Sequence, residues 1–272
     1  MMVFPQRLNW LQIMFKVRGS ILTRIWGRVL ITFLFATAIT ELYFLGILKA
    51  EVETLTPLPF SLIGLALGIF LGFRNNTSYQ RFWEGRILWG RLVNTSRTIT
   101  RQILTLIEPE QDPSPSPLQR HLVHRVAAYV HALRLHLRDE KEGYADLKRL
   151  LPDDDLEALA KSSNPPIAML HTLGERMAKA WQQGKLNEYH MSVLEQSLTN
   201  LTDIQGGCER IKATPIPFSY TLLIHRIVAV YCLALPFGVY DQAKLLTPLV
   251  VLLVSYAFYG LDAIGDEIAS SP

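Results

Sequence analysis

Charge is scarce in this sequence. Asp, Glu, Lys and Arg make up 19% of the 272 residues, against about 25% in soluble domains. The excess of base over acid is only +3, and no zinc-finger spacing or nucleic-acid signature accompanies it, so nucleic acid is not an expected partner. Cysteine is scarcer still. Cys208 and Cys232 stand in separate segments with no CxxC pair, which excludes thiolate metal sites and dithiol redox motifs, and two buried free thiols are expected. Gly-rich phosphate loops, HExxH and Ser/His/Asp nucleophile patterns are missing as well, so no catalytic residue, metal or cofactor is assigned. No strand pattern of useful length and no repeat of 20 to 50 residues is visible. The first twenty residues lack a long apolar region with a small-residue cleavage site, so no removable leader is expected.

What the sequence has is apolar surface: 49% of its residues are hydrophobic. Four runs, about 26–48, 58–73, 217–239 and 245–261, come close to the roughly 20 residues of helix that cross a bilayer. They form two hairpins separated by a long polar section. Arg18, Arg24 and Arg28 precede the first run, and Arg74, Arg81 and Arg86 follow the second. The short connections carry Lys49 against Glu51 and Glu53, and Asp241 against Lys244. By the positive-inside rule both termini and the middle section are cytoplasmic. The expected organisation is an N-terminal interfacial segment over 1–25, a transmembrane hairpin over 26–73, a cytoplasmic helical region over 74–214, a second hairpin over 215–262 and a C-terminal segment over 263–272. In the first segment Trp10, Leu11, Met14 and Phe15 beside Lys16 and Arg18 suit a membrane interface, or a helix docked on its own protein. The fold class is all-α membrane protein.

The middle section reads as helices. Residues 77–108 continue from the second run without a breaker, so that helix projects well beyond the bilayer. A Pro-rich acidic turn follows at 108–117. Leu122, Val126, Val130 and Leu133 share one face of the next helix. A short helix begins at Asp153, Asp154 and Asp155, an acid cluster suited to an N-cap and first turn, and to a cation site as the less favoured reading. Two more helices follow, over about 167–184 and 187–213. His121, His124 and His131 lie on one helix, but nearby Asp, Glu or Cys do not complete a ligand set, so a solvated or interface face is expected.

The second run holds the main pattern. Gly64, Gly68 and Gly72 recur every four residues on one helix face. Each costs about 1 kcal/mol relative to Ala in a helix, and the small-xxx-small spacing lets membrane helices approach closely. Leu65, Ile69 and Phe73 form a bulky stripe beside them. The stripe faces either lipid or a neighbouring span, or else the axis of a ring of copies, where it would form apolar constrictions that gate by dewetting. Three ionisable residues also fall within the apolar runs. Glu41 is near the outer end of the first, and His225 with Arg226 stands mid-way through the third, as a buried ion pair or a functional site.

Three stretches resemble the bestrophin family, in particular its bacterial branch. They are the Phe73-Arg74-Asn75 exit from the second run with Tyr79, Arg81, Phe82, Trp83 and the LWG at 88–90; the segment GGCERIKATPIPFSYTL at 206–222; and LTPLVVLLVSYAFYGLD at 246–262. The resemblance implies a homopentamer around one axial pore in a bacterial inner (plasma) membrane. Its neck would be lined by three apolar positions of the second span, which fall on Leu65, Ile69 and Phe73. A second constriction, placed by the GKL at 184–186, falls near Tyr189. The implied activity is passage of small monovalent ions, chloride by family habit, with sodium or another cation open because bacterial relatives pass cations. The implied partners are other copies of the chain, membrane lipid and the permeating ions. Some family members carry an acidic calcium clasp after the fourth span. Here Asp266 and Glu267 are the only nearby acids, so the resemblance brings no calcium site. The competing class is a non-conducting scaffold, or a membrane enzyme using His225 and Arg226.

Overall fold

A computed structural model describes residues 9, 19–48, 57–108, 114–140 and 142–270. The interfacial cluster from Trp10 to Arg18, the connection carrying Lys49, Glu51 and Glu53, and residues 109–113 of the acidic turn lie outside the described residues. Among those described, the regular structure is helical throughout: α1 (Leu22–Phe44), α2 (Pro57–Leu106), α3 (Pro117–Leu137), α4 (Asp153–Lys161), α5 (Pro165–Gln182), α6 (Glu188–Ala213), α7 (Phe218–Ala243) and α8 (Thr247–Ser270), with 3-10 turns at Glu142–Arg149 and Lys244–Leu246. Three stretches are long and apolar enough to cross a membrane: Leu22–Phe44, Pro57–Leu106 and Phe218–Ala269, the last containing α7, its 3-10 turn and α8. The chain divides into two units, 1–82 with 216–272, and 83–215.

In the first unit α1 packs on α8 and α7, and α7 packs on α8. Ile25, Val29 and Ala36 of α1 meet Leu67 and Leu71 of α2, Val228 and Cys232 of α7 and Val251 of α8 in one buried cluster. α1 ends four residues earlier than hydropathy suggests, because Gly46 at φ 69° reverses the chain. The Ile47 N–H then donates to the Leu42 carbonyl, and the Gly46 N–H to Tyr43, the paired bonds of a Schellman stop. Pro236 sits inside α7, which membrane helices tolerate where neighbours restore the freed backbone group. α8 runs nine residues past the end of its apolar run, because Asp262 and Asp266 find partners inside the unit.

In the second unit α3 packs on α5 and α6, and α4 on α5. Leu92, Ile99 and Ile103 of α2, Leu122, Val126 and Leu133 of α3, Leu173 and Met177 of α5, and Leu194 and Leu201 of α6 form its core. The face expected of α3 is therefore the buried one, with Val130 partly buried beside it. Ser116 caps α3 in a full capping box with Gln119, with Pro117 at the first helical position. Gln119 Nε2 also donates to the Ile107 carbonyl at 2.6 Å, satisfying the end of α2. At the same corner Glu108 pairs with Lys185 at 2.6 Å and accepts from Ser116 Oγ at 2.7 Å. The Lys185 and Ser116 hydrogen bonds hold its carboxyl below the usual carboxylate range. Cys208 and Cys232 are buried and not bonded to each other.

The acid cluster of α4 occupies the first turn, but Pro152 is its N-cap and no side chain caps it. The charge that meets it is the protein's own. Buried Arg125 pairs with Asp155 and donates to Thr172 Oγ1 at 2.8 Å and His121 Nε2 at 2.9 Å, while Arg176 stands 3.5 Å from Asp155. His121 is thus an acceptor. Burial, then Arg176 and Arg125, lowers its basicity. His124 and His131 are exposed, so the three histidines do not converge.

Candidate functional site

α2 turns by 100° per residue, and in the first unit it buries one face. Leu67, Leu71, Arg74 and Ser78 are each 4% exposed or less. The direction about 180° away holds Leu65, Ile69 and Phe73, which are 66%, 50% and 64% exposed. The bulky stripe thus points away from the core of its own unit. Among the glycines, Gly64 is the close approach. A Cβ there would lie 2.5 Å from the Tyr231 hydroxyl, whereas Gly68 and Gly72 have nothing within 4 Å. Gly64 joins α2 to α7, and Gly68 and Gly72 leave an open flank between the buried face and the stripe.

The Arg-Asn pair that ends the apolar run fixes this orientation. Arg74 is 2% exposed. A charge that deep is tolerated only when paired and fully hydrogen-bonded. Arg74 Nη1 donates to Asp262 Oδ1 at 2.7 Å, and Nη2 donates to the Asp262 carbonyl at 2.7 Å and to Asp266 Oδ1 at 2.9 Å. His225 Nδ1 lies 2.6 Å from Asp262 Oδ2, and its Nε2 lies 3.4 Å from Asp266 Oδ2. Arg28 stands 3.7 Å from Asp262 Oδ2. Asn75 Nδ2 donates to the Leu261 carbonyl at 2.9 Å. Any side chain at Gly265 would collide with Arg74 and Asn75, so the glycine permits the approach of α8.

This cluster joins α1, α2, α7 and α8, the four helices of the unit among the described residues. His225, Asp262 and Asp266 place one ligand atom each within 4.8 Å of the others. The Arg74 guanidinium already supplies the positive charge that a metal ion would bring, with Arg28 adding to it. The cluster therefore acts as an ionic fastener. The expected pairing of His225 with Arg226 is not what forms: Arg226 is exposed, and His225 turns to the two aspartates of α8. Glu41 is exposed in the last turn of α1.

Asp262 is the residue that sequence reading overlooked. Its signal was an acid at the end of an otherwise apolar run, at the same end of its span as Arg74 and Arg28. In the second unit, Tyr189 is 82% exposed in the first turn of α6, where the Asn187 side chain accepts its N–H at 3.0 Å. Gly184, at φ 72°, makes the turn that precedes it.

Comparison with known proteins adds a second line. The chain matches the family described as bacterial/fungal bestrophin protein over residues 1–271. It is 38% identical over 270 residues to a voltage-dependent anion channel-forming protein of Ralstonia nicotianae, covering 98% of this chain and 85% of that one. It is 36% identical over 272 residues to the voltage-dependent anion channel-forming protein YneE of Escherichia coli, with the same coverage. Among solved structures, a bacterial bestrophin homologue from Klebsiella pneumoniae superposes with a TM-score of 0.79 at 34% identity, over 90% of this chain and 88% of that one.

Proposed function

The chain belongs to the bacterial and fungal bestrophin family, and from that premise we propose that it is a channel for small monovalent ions, with anions such as chloride preferred. Five copies surround one axis in a bacterial inner membrane, with both termini on the cytoplasmic side. Leu65, Ile69 and Phe73 of each copy form the apolar neck, and Tyr189 narrows the cytoplasmic end of the path.

The observation that carries this reading is the exposed stripe on α2, opposite the buried Leu67, Leu71 and Arg74. A ring of such stripes makes three stacked apolar collars. An ion in a collar of that kind gives up part of its hydration and receives no charge in return, so width and wetting set the current. The preference for anions rests on the naming of the Ralstonia and Escherichia relatives as anion channel-forming proteins. An apolar neck offers anions and cations no fixed charge, so the choice between them falls to the polar parts of the path.

Planar-bilayer recording of the purified protein tests both parts. In asymmetric sodium chloride the reversal potential is expected near the chloride equilibrium value, and a value near that of sodium would overturn the anion assignment. Replacing Leu65, Ile69 and Phe73 together by Ala is expected to raise unitary conductance. The complete absence of unitary currents from well-folded protein would instead favour a non-conducting scaffold.

A further inference from the structure

The unit over 83–215 presents two outward faces of opposite sign. The first is a cleft of about 530 Å³ between α2 and α3, floored by Leu104, Val123, Val126 and Val130 and rimmed by Arg97 and Arg101. Both arginines are exposed, and among the described residues neither enters an ion pair. Exposed Arg120 extends the positive rim along α3, where its Nε donates to the Pro115 carbonyl. The second face belongs to α6. Leu194, Leu198, Leu201, Ile204 and Cys208 of that helix turn inward. Glu188, Ser192, Glu195, Thr199 and Thr202 recur at spacings of four and three, so they share one outward face. Glu188 and Glu195 are exposed and unpaired among the described residues. Tyr189 lies about 100° further round the helix and is not part of that face.

The floor of the cleft touches the core through Val126, and among the described residues neither rim arginine pairs with Glu188 or Glu195 of the same copy. We infer that the cleft is filled by the acidic face of α6 from a neighbouring copy of this chain. Ser192 between the two glutamates, with Thr199 and Thr202 beyond them, lets the helix sit low against the valines, and the glutamates reach the arginines on the rim. A phosphate-bearing surface would satisfy the arginines and leave the valine floor in water, whereas a helix with both small and acidic residues covers both. The contact is head-to-tail: each copy offers a cleft to one neighbour and an α6 to the other, and such contacts form a ring when the rotation between copies closes. The inference rests on the ring assembly proposed above and names the surfaces that build it.

The test uses the full-length chain in mild detergent, with assembly size read by light scattering and native mass spectrometry. R97E/R101E is expected to lose the pentamer in favour of the monomer, and E188R/E195R to do the same. The four substitutions combined are expected to restore the pentamer. A pentameric R97E/R101E overturns the inference while leaving the assembly reading intact, and a monomeric unmodified chain overturns both. A pentameric R97E/R101E that has lost binding to phosphatidylglycerol vesicles overturns it in favour of a lipid surface. Should the charge variants fail to fold by circular dichroism, R101C/E195C in a C208A/C232A background decides. Mild oxidation is expected to give ladders of two to five linked chains, and a lack of intermolecular links in assembled protein overturns the contact.

Discussion

Phe73 and Arg74 are neighbours in sequence with opposite destinations. Arg74 is drawn inward by three hydrogen bonds, to the carboxylates of Asp262 and Asp266 and to the Asp262 carbonyl, and Phe73 is left pointing outward. Arg74→Ala leaves Asp262 buried beside an exposed Arg28 and a part-buried His225. Breaking a buried pair from one side costs about 3–5 kcal/mol, so the thermal unfolding temperature in detergent should fall by several degrees or more. Arg74→Lys keeps the charge and loses the fork that reaches both aspartates, and should fall between the two. Phe73→Ala removes no contact from the unit's core, so it should leave the unfolding temperature nearly unchanged while raising unitary conductance. The stripe was legible in the sequence because spacing by four is a local property of one helix. The fastener was not, because Asp262 lies 188 residues from Arg74 and no local pattern ties the two.

At the level of elements, the corner from α2 to α3 shows how helix ends are held. Ser116 accepts the Gln119 N–H and donates to Glu108, which also pairs with Lys185. Ser116→Ala should cost about 1 kcal/mol as the lost cap of α3, measurable by chemical unfolding. Glu108 titrates below its ordinary range in the folded chain, so the folded state binds its proton less readily than the unfolded state does. The stability it contributes is present above the usual carboxylate pKa, about 4.3, and is lost as pH falls through the lower folded value. Glu108→Gln should flatten that acid limb in an unfolding series between pH 3 and 6, and an unchanged slope would contradict the pairing. Much of the helical content was legible from periodicity and the lack of breakers: the apolar face of α3 and the unbroken passage from the second apolar run into a 50-residue α2. The ends of α1 and α8 were not. Hydropathy counts Ile47 and Leu48 as span although Gly46 has already turned the chain, and it discounts Asp262 and Asp266 although their partners keep α8 helical.

At the scale of the whole molecule, a membrane unit built on an ionic fastener presents one apolar face of α2, and a second helical unit carries opposite charges on different helices. Family membership was legible from three motifs distributed over the length of the chain. The surfaces proposed to join copies were not, because the complement of such a surface belongs to another chain and leaves no pattern in either partner alone. The central claim is that Leu65, Ile69 and Phe73 border a water-filled path. It is tested most directly by placing cysteine at each of these positions in a background lacking Cys208 and Cys232. A charged aqueous thiol reagent is then applied while current is recorded across a planar bilayer. Current should fall on modification at 65, 69 and 73 and stay constant for cysteine at the buried positions 67 and 71. A steady current through conducting channels with all three stripe positions exposed to the reagent would contradict the account.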